Sequence, residues 1–251
     1  QYGATQAWVY AFTFIGGLFA DKILGLRKSL FWGGILMIIG SVILAIDPKN
    51  FFFIGLGFTI VGTGFFKPNI SSMVGQLYPD GDPRRDAGFS FFYMGVNLGA
   101  LIGGYICIAV AEGSMWQSIV PEHLRWNVGF GFAAIVMIIS LLTFTQTQKS
   151  LGPIGLSPLK EMMVSKRKQL EIVTYVGSLL VIPLIIVMVA NTHYTDYFMI
   201  CIGPASILYL LYEMKNFTLA ENKKLFAALI FIIFSIFFWA FFEQSGGSLS
   251  L

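Results

Sequence analysis

The chain has 251 residues, 56% of them hydrophobic and only 12% charged, with a net charge of +3. A soluble domain carries about 25% charged residues because its surface must be hydrated, so most of this surface faces something other than water. The composition also excludes the basic stripe of a nucleic-acid binder, and Cys107 and Cys201, both inside apolar runs, read as packed thiols rather than a disulfide framework.

A bilayer core of about 30 Å needs about 20 mostly apolar helical residues to cross it. Eight such runs follow one another, at about 4–24, 29–46, 51–77, 88–111, 126–145, 170–190, 197–212 and 225–251. Lipid offers no water to backbone groups, and the runs lack the alternation of a barrel, so they are expected to be helices. The fold class is an all-α polytopic membrane protein.

The first run carries Tyr10, by itself an ordinary interfacial or packed tyrosine. After it comes the loop Gly17-Leu18-Phe19-Ala20-Asp21-Lys22-Ile23-Leu24-Gly25-Leu26-Arg27-Lys28. An acid and bases flanking a glycine can form a breakable charge network there, able to latch helices in one state and release them in another.

The third run holds Lys67, about 24 Å along its helix from Phe51 at 1.5 Å per residue. A charge at that depth costs at least about 2.5–3.5 kcal/mol. Pro68 follows it, removing a backbone donor and leaving a carbonyl free nearby. Lysines at such depth line solute or ion paths, or pair structurally with a buried acid.

In the fourth run, Phe92-Tyr93-Met94-Gly95-Val96-Asn97-Leu98-Gly99 makes a two-faced helix. Tyr93 and Asn97 share one face, and Gly95, Gly99 and Gly103 form a stripe on roughly the opposite side. The stripe suits close helix packing in lipid. The tyrosine and asparagine are then free to bind polar backbone in a cavity, or to bond to a neighbouring helix.

After the fifth run, Thr145 to Lys168 is the one long polar linker, broken by Gly152, Pro153, Gly155 and Pro158. The pair of runs at 170–212 beyond it has almost no intramembrane charge. In the last run Glu243 is the lone acid after the aromatic stretch Phe237 to Phe242, with Trp239 four residues earlier on the same face. Apolar surroundings disfavour a charged carboxylate, which suits a proton carrier; a helix-end glutamate reaching the headgroups is the alternative.

Placing Gln1 outside puts Lys22, Arg27, Lys28, Arg84, Arg85, Lys149, Lys160, Lys166, Arg167, Lys168, Lys215, Lys223 and Lys224 in inside loops. Only Lys49 and Arg125 remain outside, a strong positive-inside bias. The chain begins at Gln1 without a Met, so both ends read as cuts through a longer protein. No catalytic triad, metal cluster or nucleotide-binding loop is visible, and His123 and His193 fall in outside loops.

The loop around Asp21, Gly25 and Arg27 resembles the signature between the second and third helices of the major facilitator superfamily. Its spacing is similar to that of the proton-dependent oligopeptide transporter branch, bacterial type. Gly62-Thr63-Gly64-Phe65-Phe66-Lys67-Pro68-Asn69 looks like that family's fourth-helix motif, and Phe92 to Gly99 like its fifth-helix signature. Phe238-Trp239-Ala240-Phe241-Phe242-Glu243-Gln244 resembles its seventh helix. The resemblance departs at Thr13, where a proline is usual.

It implies a partial major facilitator fold. Residues 1–145 would be the N-terminal bundle (helices 2–6, with helix 1 missing) and 146–169 a cytoplasmic linker. Residues 170–212 would be an inserted transmembrane hairpin, and 213–251 the start of the C-terminal bundle (helix 7). The implied function is proton-coupled symport of di- and tripeptides by alternating access, with small peptides and the lipid bilayer as partners. The proton is the coupling ion, with no cofactor, metal, nucleic acid or enzymatic step, in a bacterial inner membrane. By the resemblance, Lys67 binds the peptide carboxylate and couples to the proton. Tyr93 and Asn97 contact the peptide backbone, and Tyr10 and Trp239 line the pocket. Glu243 serves the outside gate and proton movement, and Asp21, Gly25 and Arg27 form the conformational loop. Another solute of the same family, such as nitrate or a drug-like anion, is the alternative, followed by a non-transporting sensor or a membrane enzyme.

Overall fold

The computed structural model describes residues 2–79, 81–113, 115–116, 118–159 and 162–242. Among them all regular structure is helical. Helix α1 (Tyr2–Phe19) runs into a π-helical turn (Ala20–Leu24), followed by α2 (Leu26–Ile46), α3 (Phe52–Gln76), α4 (Arg84–Ala111) and α5 (Arg125–Thr147). After the linker come α6 (Val164–Ala190), α7 (Thr192–Glu213) and α8 (Leu219–Phe242).

These are the eight expected helices, but four begin several residues early. The first turns of α4, α6, α7 and α8 are polar or charged, as in Arg84-Arg85-Asp86 and Ser165-Lys166-Arg167-Lys168. Hydropathy marks only the part of a helix that lies in hydrocarbon, whereas the hydrogen-bonded turns continue into the headgroups. Seven of the helices are long and apolar enough to cross a membrane, and α3 is the exception. Its composition is diluted by glycines and by Lys67, Pro68, Asn69, Ser71 and Ser72.

Residues Trp8–Ala190 form one compact unit, built on a glycine seam between α2 and α3. A Cβ on Gly62 would stand 2.7 Å from the Gly33 carbonyl oxygen and 2.8 Å from the Met37 amide nitrogen; one on Gly40 would stand 2.6 Å from the Gly55 oxygen. Helices in lipid gain no hydrophobic term by associating, so backbone approach through small residues carries the packing. The Gly95, Gly99 and Gly103 stripe of α4 does not do this among the described residues, because a Cβ on any of them meets nothing within 4 Å. Regular glycine spacing marks where a close approach is permitted, not where the partner stands. α4 instead meets α5 near Gly129, where a Cβ would lie 3.3 Å from the Cys107 oxygen.

α6 docks onto the same unit. Ile182 and Ile186 stand against Gly57 of α3, and Ile182, Ile185 and Val189 are buried. The Trp32 indole donates to Ser178 Oγ at 3.0 Å, and its ring lies 4.8 Å from that of Tyr175. A second unit comprises Asn191 onward with the first residues of α1. Within it, α8 opens with a capping box: the Thr218 amide and hydroxyl donate to Glu221 Oε2 at 2.8 and 2.7 Å, and the Glu221 amide donates back to the hydroxyl at 3.4 Å.

Candidate functional site

Lys67 lies about 22 Å along α3 from Phe52 and about 14 Å short of Gln76 at 1.5 Å per residue, deep in the helix by either measure. Its side chain is exposed, and its ammonium stands 4.5 Å from the centroid of the Tyr10 ring on α1. Among the described residues no carboxylate pairs with it. An ammonium over an aromatic face is attracted by the ring quadrupole, so Tyr10 supplies part of the stabilisation that a counter-ion otherwise would.

The backbone beside Lys67 is shaped by Pro68, which interrupts no assigned turn of α3 but cannot donate to the Gly64 carbonyl. That carbonyl faces Gly16 of α1, where any Cβ would overlap it. The glycine therefore lets α1 approach α3 at the level that brings Tyr10 over Lys67. Next to it, buried Asn69 donates from Nδ2 to the Phe65 oxygen at 2.7 Å. On α1, Thr13 stands where the resemblance expects proline; its hydroxyl donates to the Tyr10 oxygen at 2.6 Å, and the helix is continuous through it.

Tyr93 and Asn97 lie together on α4, both exposed, and Asn97 Nδ2 donates to the Tyr93 carbonyl oxygen at 2.9 Å. Among the described residues no hydrogen bond or ring contact joins this pair to the Tyr10–Lys67 pair. Asn97 is not engaged with a neighbouring helix among the described residues. The entry to α4 is fixed by Asp82, whose carboxylate accepts from the Arg84 amide at 2.9 Å and from its guanidinium at 2.7 Å. The Arg84 side chain holds that carboxyl well below its ordinary 3.8, at about 2. Trp239 is exposed on α8, with ring contacts to Phe238 at 5.6 Å and Phe242 at 5.3 Å. Glu243 lies outside the described residues.

The loop signature is built differently from the acid–base network expected. Asp21 is exposed in the π turn, and no ion pair joins it to Arg27 among the described residues. Arg27 instead grips the linker, its Nε donating to the Ile154 oxygen and an Nη to the Gly152 oxygen, both at 2.7 Å, while its amide donates to the Gly155 oxygen at 3.0 Å. The Ser157 hydroxyl donates to the Ile23 oxygen at 2.6 Å. Gly25 has φ +78°, and a Cβ there would stand 2.5 Å from the Ser157 nitrogen, so both the conformation and the space call for glycine. The ion pair of this face is one residue further on: Lys28 Nζ meets Glu171 Oε1 of α6 at 2.6 Å, with Arg167 Nε 3.7 Å from the same oxygen. Glu171 was missed in the sequence because it sits at the edge of an apolar run; its position four residues after Arg167 was the available signal.

Comparison with known proteins gives a consistent result. A family profile described as the POT family matches residues 27–251. An uncharacterized transporter, YclF, of Bacillus subtilis (strain 168) is 34% identical over 252 residues, covering 97% of this chain and 48% of that protein. A di-/tripeptide transporter of Lactococcus lactis subsp. cremoris is also 34% identical, over 250 residues, covering 95% of this chain and 48% of the relative. A crystal structure of a mutant peptide transporter POT in complex with alafosfalin superposes with a TM-score of 0.73 at 31% identity, covering 98% of this chain and 49% of that one. The chain thus spans about half the length of the curated relatives it matches. The all-helical membrane architecture, the order of its motifs and these likenesses together show that the chain belongs to the POT family and carries part of a major facilitator fold.

Proposed function

We propose that this chain forms one side of the substrate path of a proton-coupled symporter for di- and tripeptides working by alternating access. The observation that carries the reading is Lys67: a deep ammonium, exposed, resting on the Tyr10 ring and without a carboxylate partner among the described residues. A cation held in this way is available to a peptide carboxylate or to a coupling acid elsewhere in the full-length protein. The relative described as a di-/tripeptide transporter supports the peptide as solute.

In this reading Lys67 takes the peptide carboxylate and couples to the proton, with Tyr10 positioning its ammonium. Tyr93 and Asn97 present hydroxyl and amide groups to the peptide backbone. Trp239 lines the path from α8, and Glu243 serves the gate and carries the proton. The Gly25 and Arg27 clamp on the linker, with Asp21 beside it, is the element that would open and close. Protonation or peptide binding shifts the population between outward and inward states by binding one of them better. The membrane is the bacterial inner membrane.

The test is uptake by the full-length protein in liposomes. An inward proton gradient is expected to drive accumulation of labelled dialanine, and unlabelled di- and tripeptides to compete while nitrate does not. Peptide binding without flux would make the protein a sensor and overturn the reading, as would nitrate competition equal to that of peptides.

A further inference from the structure

Away from the Lys67 region, a cleft of about 390 Å³ opens between α2, α5 and α6. Its lining includes Arg27, Lys28, Phe31, Trp32, Ile35 and Gln148, of which the transport reading uses only Arg27, in the linker clamp. We propose that it binds an anionic phospholipid, with the headgroup phosphate at Arg27 and Lys28 and an acyl chain along Phe31 and Ile35.

Three features point to this occupant. The first is charge: Lys28 and Arg167 share one carboxylate, Glu171, and Arg27 pairs with none among the described residues, so the cleft mouth keeps a positive excess after its ion pairs are made. Among the described residues Arg27 spends two of its side-chain donors, on the linker carbonyls, out of the five that a guanidinium carries. Those two bonds fix its plane. Lys28 donates one hydrogen bond to Glu171 and remains 44% exposed, leaving donors for a phosphate oxygen.

The second is layering along α2. Arg27, Phe31 and Ile35 are spaced four apart and share a helix face, with Ile35 about 12 Å further along the axis than Arg27. The cleft therefore passes from cation to aromatic ring to aliphatic side chain, in the order that a lipid passes from phosphate to acyl chain. Thr145 and Gln148, in and just beyond the last turn of α5, supply polar groups at the level of Arg27.

The third is a pre-formed wall. Trp32 is fixed by its bond to Ser178 and its ring contact with Tyr175, so the cleft does not need to be ordered by its ligand. Basic pockets between membrane helices at the positively charged face are where anionic headgroups bind, and each nearby Lys or Arg strengthens that attraction.

The experiment uses the full-length protein, delipidated in neutral detergent, with affinity read by native mass spectrometry and by the shift in melting temperature. Phosphatidylglycerol, phosphatidylcholine, glycerol phosphate and inorganic phosphate are the probes. Phosphatidylglycerol is expected to bind at least about fivefold more tightly than phosphatidylcholine. Lys28→Gln removes one of the two cations that hold the phosphate and is expected to abolish that preference. Gln148→Glu leaves the Lys28–Glu171 pair intact, adds a repelling charge within the cleft, and is expected to do the same while the protein stays monodisperse. Equal binding of the two lipids would overturn the proposal. So would a Gln148→Glu protein that keeps the preference, or inorganic or glycerol phosphate giving the same stabilisation at equal concentration, which would make this a free-anion site.

Discussion

Gly62→Ala tests whether the α2–α3 seam holds the bundle together. The added methyl would stand 2.7 Å from the Gly33 oxygen and 2.8 Å from the Met37 nitrogen, both backbone atoms that cannot turn away. An ordinary contact of 3.4 Å requires the helices to part by about 0.7 Å. Overpacking of this kind costs about 1–3 kcal/mol, and the better helix propensity of alanine returns at most about 1 kcal/mol. The expected loss, about 1–2 kcal/mol, corresponds to a melting temperature lower by roughly 2–8 °C. Gly131→Ala is the control: its nearest neighbour is the Ala45 Cβ at 3.7 Å, so it is expected to be neutral or slightly stabilising. Fluorescence-detected size-exclusion of heated, detergent-solubilised full-length protein reads both. Equal melting of the two variants would refute the seam.

If the Tyr10 ring positions the Lys67 ammonium, Tyr10→Phe keeps the cation–π contact and leaves peptide affinity unchanged, whereas Tyr10→Leu loses about 1 kcal/mol, roughly fivefold; uptake KM separates the two. Arg27→Lys removes the planar fork that holds two linker carbonyls, so limited proteolysis is expected to cut the 152–158 segment faster, and an unchanged rate would contradict the clamp. Asp82, held at about 2 by Arg84, stays ionised as pH falls through 3.8. Its contribution to the start of α4 is therefore complete above about pH 4 and fades as pH falls toward 2. A carboxyl titration by NMR that gave Asp82 an ordinary midpoint would refute that pairing.

The helices were legible in the sequence because lipid leaves the backbone no alternative, and their apolar cores are long. Lys67 was legible for the same reason, since a charge at that depth stands out against its surroundings. What could not be read was pairing across helices. The Gly95, Gly99 and Gly103 stripe has the regular spacing of four that permits close approach, yet it is Gly33 and Gly40, seven residues apart, that meet a partner among the described residues. The Tyr10–Lys67 contact depends on Gly16 admitting the Gly64 carbonyl, a relation between positions 48 residues apart that leaves no local pattern. Arg27 illustrates the same limit: its neighbours in sequence suggested a local network of acid and bases, but two of its side-chain donors go to carbonyls more than 120 residues away.

The most direct test of the account is Lys67→Ala in the full-length protein, reconstituted in liposomes with an inward proton gradient. Loss of a positioned charge that meets a buried carboxylate costs at least about 2 kcal/mol. Gradient-driven dialanine uptake is therefore expected to fall at least about tenfold while the protein still folds and inserts. Uptake at the rate of the unaltered protein would contradict the assignment of Lys67 and, with it, the central claim.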